Sequence, residues 1–211
     1  LIETIVNFGK PTIISTGLAD MKLLEDIYKF WSARSSTDNL GVLHCIASYP
    51  APLEQANLGA ISTIKNRFPE IIVGFSDHTI GVKAASYAVA AGARIIEKHF
   101  TLDKNYSDFR DHQLSSDPEE MRILVESIRE ASSIMGSGEK TPQVCEINGI
   151  IAFRRSIAAA NDLALGTELT MQNITWVRPG RGIPPGHENL LIGSKLRRPI
   201  KQGGLVQVED V

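Results

Sequence analysis

Cysteine is scarce in this sequence of 211 residues, and its scarcity excludes two classes of protein. The two cysteines, Cys45 and Cys145, stand one hundred positions apart, which fits neither a zinc motif nor a disulfide framework. Long apolar runs are missing as well, since none approaches the roughly 18–20 residues that a membrane-spanning helix needs. No signal peptide opens the chain. We therefore expect a protein of the reduced cytoplasm, without a membrane partner.

An excess of either charge is also absent. Lysine and arginine total 22, aspartate and glutamate total 24, and the net charge is −2, so nothing indicates a nucleic-acid partner. Hydrophobic residues make up 43% of the chain, which is typical of a globular protein with a core. An initial Met is missing too: the chain begins with Leu1, within an apparent helix that ends at Gly9. We interpret the chain as a piece of a longer protein.

Short β-branched runs alternate with helical patterns over the first 136 residues. Such runs predict buried parallel strands, here over residues 11–16, 41–46, 71–76 and 93–100. The helical patterns cover residues 19–33, 53–67, 80–91 and 118–135. The last helix has clear end signals, with Asp117 as N-cap, Pro118 at its first position, Glu120 three residues after the cap, and Gly136 at its end.

This alternation predicts an α/β fold in which helices cover a parallel sheet. Four strand–helix units form either an open doubly wound sheet or half of an eight-stranded barrel, and their lengths do not decide between the two. The missing start favours the half-barrel, because the other strand–helix units would then precede Leu1. After residue 136 the pattern changes, with a predicted linker over 137–152 and a small, mostly β domain over 153–211. Segments such as LALGTELT and PIKQGGLV predict tight turns between brief strands in that domain.

Polar side chains end each predicted strand, where parallel α/β folds bind their ligands. Residues two apart on a strand point the same way, so Ser76 shares a side with His78, and Glu97 shares one with His99. Two imidazoles and a carboxylate would then converge from neighbouring strands and could hold a divalent ion. The alternative for each histidine is a hydrogen-bonded residue of the core.

Ser15, Thr16 and Gly17 follow the first predicted strand and precede a helix. Either hydroxyl could cap that helix, or the turn could hold a phosphate group. The sequence pattern alone favours capping.

Five motifs, in this order and spacing, resemble the sialic acid synthase family: ISTG, HCIASYPAPLEQANL, GFSDHTIG, IEKHFTLD and DHQLSSDPEEM. The last 60 residues, with WVRPGRGIPP and LLIGSKLRRPIKQG, resemble its antifreeze-like (SAF) domain. The resemblance implies strands five to eight of a (βα)8 TIM barrel followed by that domain. It also implies a transferase that condenses phosphoenolpyruvate with an N-acylated mannose-type sugar to form a sialic-type acid and phosphate, and a domain-swapped homodimer.

The resemblance further implies roles for individual residues. His78 and His99 match metal ligands, with Mn²⁺, Mg²⁺ or Co²⁺ as the cofactor. Ser15 and Ser76 match residues that hold phosphoenolpyruvate, and Thr16 belongs to the same motif. Further expected roles concern Asp111 near the sugar, Glu97 beside a bound water, Ser48 in place of an asparagine that some members carry where this chain has Ala47, and Arg178 in the partner subunit's site.

The lysines and the glutamate that the family uses for phosphate binding and acid chemistry belong to a first half that this chain lacks, so we expect the piece alone to be inactive. One alternative is a related synthase of the octulosonate or heptulosonate type that uses a phosphorylated sugar, although those enzymes lack the small domain. Another is a carbohydrate- or ice-binding module, although the charged residues of the last 60 positions argue against an ice-binding face.

Overall fold

The β-branched runs of the sequence form a parallel sheet. The strands are β1 Thr12–Ser15, β2 Leu40–Cys45, β3 Ile72–Asp77 and β4 Ile96–Lys98. They pair in chain order, and each strand is parallel to the next. The computed structural model describes residues 1–211, except that only the backbone is described at position 110. Among the described residues we find no helix with both the length and the apolar character that a membrane crossing requires.

Helices follow or precede each strand. Their bounds are α1 Ile2–Asn7, α2 Met21–Ser32, α3 Gly59–Arg67, α4 Lys83–Ala90, α5 Arg110–Leu114 and α6 Pro118–Met135. The signals predicted for α6 are confirmed, since Asp117 and Glu120 form a capping box and Gly136 follows its last residue. The helix predicted over 53–67 was too long. Residues Leu53–Gln55 form a separate 3-10 turn, and Asn57, at a left-handed φ of 45°, lies between that turn and α3.

The hydrophobic core lies on one face of the sheet. It joins side chains of β2 and β3 to side chains of α1 through α4, including Val6, Trp31, Val42, Ile61 and Ala88. A doubly wound sheet reverses its strand order and carries helices on both faces. Here the order does not reverse and the helices share one face, so the doubly wound alternative is wrong and the sheet is wound as a barrel is.

The other face of the sheet carries an apolar layer below the strand ends. Leu43 is fully buried there, and a methyl group on Gly74 would lie only 2.5 Å from its Cδ2 atom. A methyl group on Gly41 would likewise meet Ile13 at 3.3 Å and Ile95 at 3.2 Å. Glycine at both positions lets these larger side chains pack flat against the strands.

Residues 139–211 form a second compact unit with its own core, and the first unit ends at Gly138. It contains α7 Ile150–Phe153 and the antiparallel strands β5 Ser156–Ala159 and β6 Ile174–Val177. The turns predicted at LALGTELT and PIKQGGLV are confirmed, with Gly166 and Gly203 at φ of 81° and 78°. The segment predicted as a linker contains a 3-10 helix over Val144–Gly149 and most of α7, which ends one residue beyond it.

Candidate functional site

The carboxyl ends of β2, β3 and β4 bring three side chains to the same level on the same face. Cys45, Ser76 and Glu97 are register partners across these strands. Ser76 is almost fully buried, and its hydroxyl donates to Oε1 of Glu97 across 2.6 Å. Glu97 itself is exposed on the open face. The predicted alternation along β3 and β4 is therefore confirmed at this level.

One step beyond this level the two histidines meet. The ring centroids of His78 and His99 are 5.2 Å apart, and their planes make an angle of 75°. With metal–nitrogen bonds of about 2 Å, two imidazoles that share an ion have ring centroids roughly 4.5–5.5 Å apart. The spacing of this pair therefore fits joint coordination of one ion.

His78 is held by the segment that follows β2. Its Nδ1 lies 2.8 Å from the carbonyl oxygen of Ile46, which can only accept, so Nδ1 carries the proton in the neutral ring. The Nε2 atom then keeps its lone pair, as a metal ligand must. The backbone of the same segment also binds this residue, since the Ala51 N–H donates to the His78 carbonyl at 2.9 Å.

Tyr49 completes an aromatic cluster that the sequence did not predict. Its ring lies 4.1 Å from the ring of His78 and 5.7 Å from that of His99, measured between centroids. The tyrosine thus covers one side of the histidine pair. A Tyr before a Pro in a loop gives no recognisable signal in the sequence, because only the fold brings the loop over the strand end.

The predicted convergence of a carboxylate with the two imidazoles is not found. Within the part of the chain that the structure describes, no group of three or more His, Cys, Asp or Glu side chains could together hold a metal ion. Glu97 bonds to Ser76 instead, because its strand position places it one level below the imidazoles. An ion at the pair would take its remaining ligands from water or substrate.

His44 belongs to the core rather than to this cluster. It lies on the helix-covered face, where its ring stacks on Phe75 with centroids 5.9 Å apart. Its Nε2 donates to the carbonyl oxygen of Ala56 at 2.8 Å. The side chain therefore ties β2 to the segment before α3.

Asp77 and Lys98 also face the helices. The Lys98 ammonium lies 3.1 Å from Oδ2 of Asp77, and both side chains are buried. These residues alternate with Ser76 and Glu97 along the strands, which explains why they point away from the open face. Polar residues were expected at both strand ends, but the pairing of Asp77 with Lys98 was not predicted.

Ser15 and Thr16 differ in their surroundings. Ser15 is exposed at the end of β1, on the open face and level with Leu43. The hydroxyl of Thr16 donates to the Leu43 carbonyl at 2.7 Å and so binds the residue after β1 to β2. Neither residue caps α2, because Asp20 does so through a bond from the Leu23 N–H at 2.8 Å. The capping alternative for Ser15 and Thr16 was therefore wrong.

The remaining predicted residues lie in connecting segments. Ser48 is exposed, and its hydroxyl donates to the Pro50 carbonyl at 3.0 Å. Asp111 lies in α5, half-buried, in the segment after β4. Arg178 belongs to the second unit, where it is exposed and its Nε donates to the Phe153 carbonyl at 3.0 Å.

Family models match both units of the chain. The model described as the NeuB family matches residues 1–140, and the model described as the SAF domain matches residues 154–211.

Known relatives extend beyond this chain. An uncharacterized protein of Methanocaldococcus jannaschii is 42% identical over 100% of the chain and 62% of its own length. The N,N'-diacetyllegionaminic acid synthase of Legionella pneumophila is 41% identical over 95% of the chain and 57% of its own length. The chain therefore spans about three fifths of these relatives.

A solved structure shows the same fold. The N-acetylneuraminic acid (sialic acid) synthetase of Leptospira borgpetersenii, crystallised with citrate, superposes with a TM-score of 0.66 at 34% identity. The match covers 71% of this chain and 51% of that structure.

Proposed function

Because the chain belongs to the NeuB family, we propose that the protein of which it forms part condenses phosphoenolpyruvate with an N-acylated mannose-type sugar. The products are a sialic-type nine-carbon acid and phosphate. The methylene carbon of phosphoenolpyruvate bonds to the aldehyde carbon of the sugar, whose oxygen takes a proton and becomes a hydroxyl. Water adds to the neighbouring carbon, which carries the phosphate, and the bond from that carbon to the phosphate oxygen breaks, leaving a ketone and free phosphate. The names of the Legionella and Leptospira relatives support this class of product.

The observation that carries the proposal is the meeting of His78 and His99 beside Ser76 and Glu97. Imidazoles 5.2 Å apart can share an ion, the Ser76 hydroxyl below them can donate to a phosphorylated acid, and the Glu97 carboxylate can accept from a water. Their position at the carboxyl ends of parallel strands is where barrel enzymes carry their chemistry.

His78 and His99 would hold a divalent ion, with Mn²⁺, Mg²⁺ and Co²⁺ as candidates. When bound, such an ion polarises the aldehyde oxygen of the sugar and makes its carbon a better electrophile. The bond from His78 Nδ1 to the Ile46 carbonyl supports this role, because it orients the ring and leaves Nε2 for the ion. Tyr49 limits how far either ring can turn.

Ser76 and Ser15 would hold the phosphate and carboxylate of phosphoenolpyruvate. Both face the open side of the sheet, and Ser76 already directs its hydroxyl to an anionic group, the carboxylate of Glu97. Glu97 would in turn hold the water that adds to phosphoenolpyruvate. Preorganised donors of this kind stabilise charge that develops in the transition state.

Residues outside the strands would complete the site. The bond from the Thr16 hydroxyl to Leu43 supports a positioning role for Thr16, since it fixes the turn after Ser15. Ser48 would contact phosphoenolpyruvate beside Ala47, and Asp111 would bind the sugar hydroxyls.

Arg178 would act from a partner subunit. We expect a domain-swapped homodimer in which the SAF domain of one subunit reaches the barrel of the other. A guanidinium held at Nε by the Phe153 carbonyl would present its two terminal nitrogens to the N-acyl carbonyl of the sugar.

The chain itself would supply strands five to eight of a (βα)8 barrel over residues 1–136, a linker over 137–152 and the SAF domain over 153–211. The unpaired edge of β1 or β4 would then pair with strands of the missing half. Because that half would carry further phosphate-binding and acid groups, the chain alone should be inactive.

The test is an assay of the full-length protein with phosphoenolpyruvate, Mn²⁺ and a panel of free and phosphorylated N-acyl hexosamines, in which phosphate release is followed. We expect release with at least one free N-acyl sugar and a nine-carbon acid product by mass spectrometry. Release only with phosphorylated, non-acylated sugars would favour a synthase of the octulosonate type. No release with any sugar would refute the proposal.

A further inference from the structure

The two histidines of the candidate site lie just beyond the last paired positions of their strands. The ladder between β3 and β4 ends with Asp77 opposite Lys98, and His78 and His99 are the next residues. Hydrogen bonds of the sheet therefore do not fix the distance between the two histidine backbones. The backbone bonds that reach the two histidines come from other segments, from the Ala51 N–H to the His78 carbonyl and from the Ser116 N–H to the His99 carbonyl, and neither of them joins β3 to β4.

The buried ion pair occupies that position. Lys98 Nζ lies 3.1 Å from Oδ2 of Asp77, with 1% and 0% of the two side chains exposed. Each partner immediately precedes one histidine, Asp77 before His78 and Lys98 before His99. The pair therefore joins the two strands at the last position before the imidazoles.

The same pair also binds the residue after His78. The Thr79 N–H donates to Oδ1 of Asp77 at 2.8 Å, and Lys98 Nζ donates to the Thr79 carbonyl oxygen. Residues 77 to 79 thus form an arch around His78 whose two ends are both bound to the Asp77–Lys98 pair. The His78 backbone cannot shift relative to β4 without breaking one of these bonds.

The attraction between the two charges does not by itself account for this pair. A buried ion pair loses solvation that its attraction barely recovers, and apolar residues of similar volume are often as stable. The face concerned is apolar, with Phe75 and Ile96 as the preceding residues on β3 and β4. Leucine or methionine would fill the same space, but they would leave the Thr79 N–H and carbonyl oxygen without these side-chain partners.

We propose that Asp77 and Lys98 are positioning residues that set the spacing of His78 and His99 for a shared divalent ion. This role rests on the proposed function, since it presupposes that the imidazoles bind an ion. Neither residue touches the ion, because both side chains lie on the opposite face of the sheet.

The test replaces both partners together in the full-length protein, as Asp77→Asn with Lys98→Met, so that no unpaired charge stays buried. Mn²⁺ alone is the probe, and its affinity is measured by electron paramagnetic resonance titration beside the thermal melting temperature. We expect a modestly lower melting temperature, because the Thr79 carbonyl loses its Lys98 donor, and Mn²⁺ affinity about 10–100-fold weaker, the size of effect that contacts outside the ligands of a metal site typically have. The matched control is Glu25→Gln with Arg67→Gln, which removes a helix-surface pair whose partners lie 2.8 Å apart and should leave Mn²⁺ affinity unchanged.

A second variant covers the case in which the double variant does not fold. Asp77→Glu keeps the charge but lengthens the side chain that binds Thr79 and Lys98 by one methylene group. It should weaken Mn²⁺ binding several-fold. Wild-type affinity in a folded double variant, or in Asp77→Glu if only that variant folds, would overturn the positioning role.

His78→Ala and His99→Ala distinguish the two ways in which the inference can fail. If both lose Mn²⁺ binding while the Asp77 and Lys98 variants keep it, only the positioning role is wrong. If both bind Mn²⁺ as the wild type does, the proposed metal site itself is wrong, and the positioning role fails with it.

Discussion

The hydroxyl of Ser76 donates to Glu97 across 2.6 Å, and this bond joins the ends of β3 and β4 directly below the imidazoles of His78 and His99. A carboxylate acceptor aligns the hydroxyl strongly, because hydrogen bonds to charged groups are shorter and stronger than neutral ones. A substrate anion that reaches this level would accept this hydrogen bond in place of Glu97, because a serine hydroxyl has only one proton to donate.

Replacing Ser76 tests this donor. In the full-length protein, Ser76→Ala should raise the KM for phosphoenolpyruvate about 10- to 100-fold, since a hydrogen bond to a charged group contributes about 1.5–3 kcal/mol. Steady-state phosphate release measures the change. The control is Ser62→Ala, because that hydroxyl donates to the Ala91 carbonyl among the helices. An unchanged KM in Ser76→Ala would contradict the assigned role.

Removal of either imidazole should abolish metal dependence. His78→Ala and His99→Ala should each lower Mn²⁺ affinity by at least about 100-fold, more than the loss of an outer partner would. Isothermal titration calorimetry after treatment with a chelator measures the affinity. His187→Ala, an exposed histidine of the second unit, is the control and should bind Mn²⁺ normally.

Arg178 should affect one substrate more than the other. In Arg178→Ala of the full-length protein, the KM for the sugar should rise at least about 10-fold, because a charged donor to the N-acyl carbonyl is lost, while the KM for phosphoenolpyruvate changes little. Substrate titrations at a saturating level of the second substrate separate the two effects. Arg181→Ala, a nearby substitution of the same kind, should change neither. Equal effects of Arg178→Ala on both substrates would refute a sugar-binding role.

Acid should destabilise the second unit through Asp210. Burial works to raise the pKa of this carboxyl, but hydrogen bonds from the Arg198 guanidinium and from the Gln207 N–H outweigh it and lower the pKa. A lowered pKa stabilises the fold at pH values above the ordinary aspartate pKa of about 3.9, and this contribution is lost as the pH falls through the folded value.

Asp210→Asn should therefore flatten the pH dependence of stability. We expect the second unit of the wild type to lose more protection between pH 6 and pH 3 than that of the variant, as measured by hydrogen exchange of peptides from β5 and β6. Glu209→Gln removes an exposed carboxylate one position earlier and should keep the wild-type dependence. A wild-type pH dependence in Asp210→Asn would contradict this account.

The apolar layer under the site should not tolerate a side chain at position 74. A methyl group there would lie 2.5 Å from the Ile95 carbonyl oxygen and 2.5 Å from Leu43 Cδ2, and the backbone oxygen cannot move aside easily. Gly74→Ala should lower the free energy of unfolding by about 1–3 kcal/mol, as overpacking does, measured by urea denaturation. Gly59→Ala, with nothing within 4 Å of the added methyl, should keep or raise it.

Local signals in the sequence predicted the elements well where a residue acts on its own neighbours. The ends of α6 follow from Asp117, Pro118 and Gly136, because capping bonds join residues three positions apart. The helix predicted over 53–67 was too long, because no recognisable local signal marks the left-handed Asn57 that interrupts it. α5, in the segment after β4, was not predicted at all.

By itself the sequence determined the order of the four parallel strands and of the helices other than α5. It also determined the faces of β3 and β4 and the placement of Ser76 and His78 on one side, because alternation along a strand needs no partner. Only the tertiary structure decided that the helices share one face of the sheet, that Tyr49 covers the two histidines, and that Asp77 pairs with Lys98. Those relationships join residues that are 20 to 50 positions apart, or depend on which face the helices pack against. Contacts of that range are set by the register and winding of the sheet, which no local pattern of residues encodes.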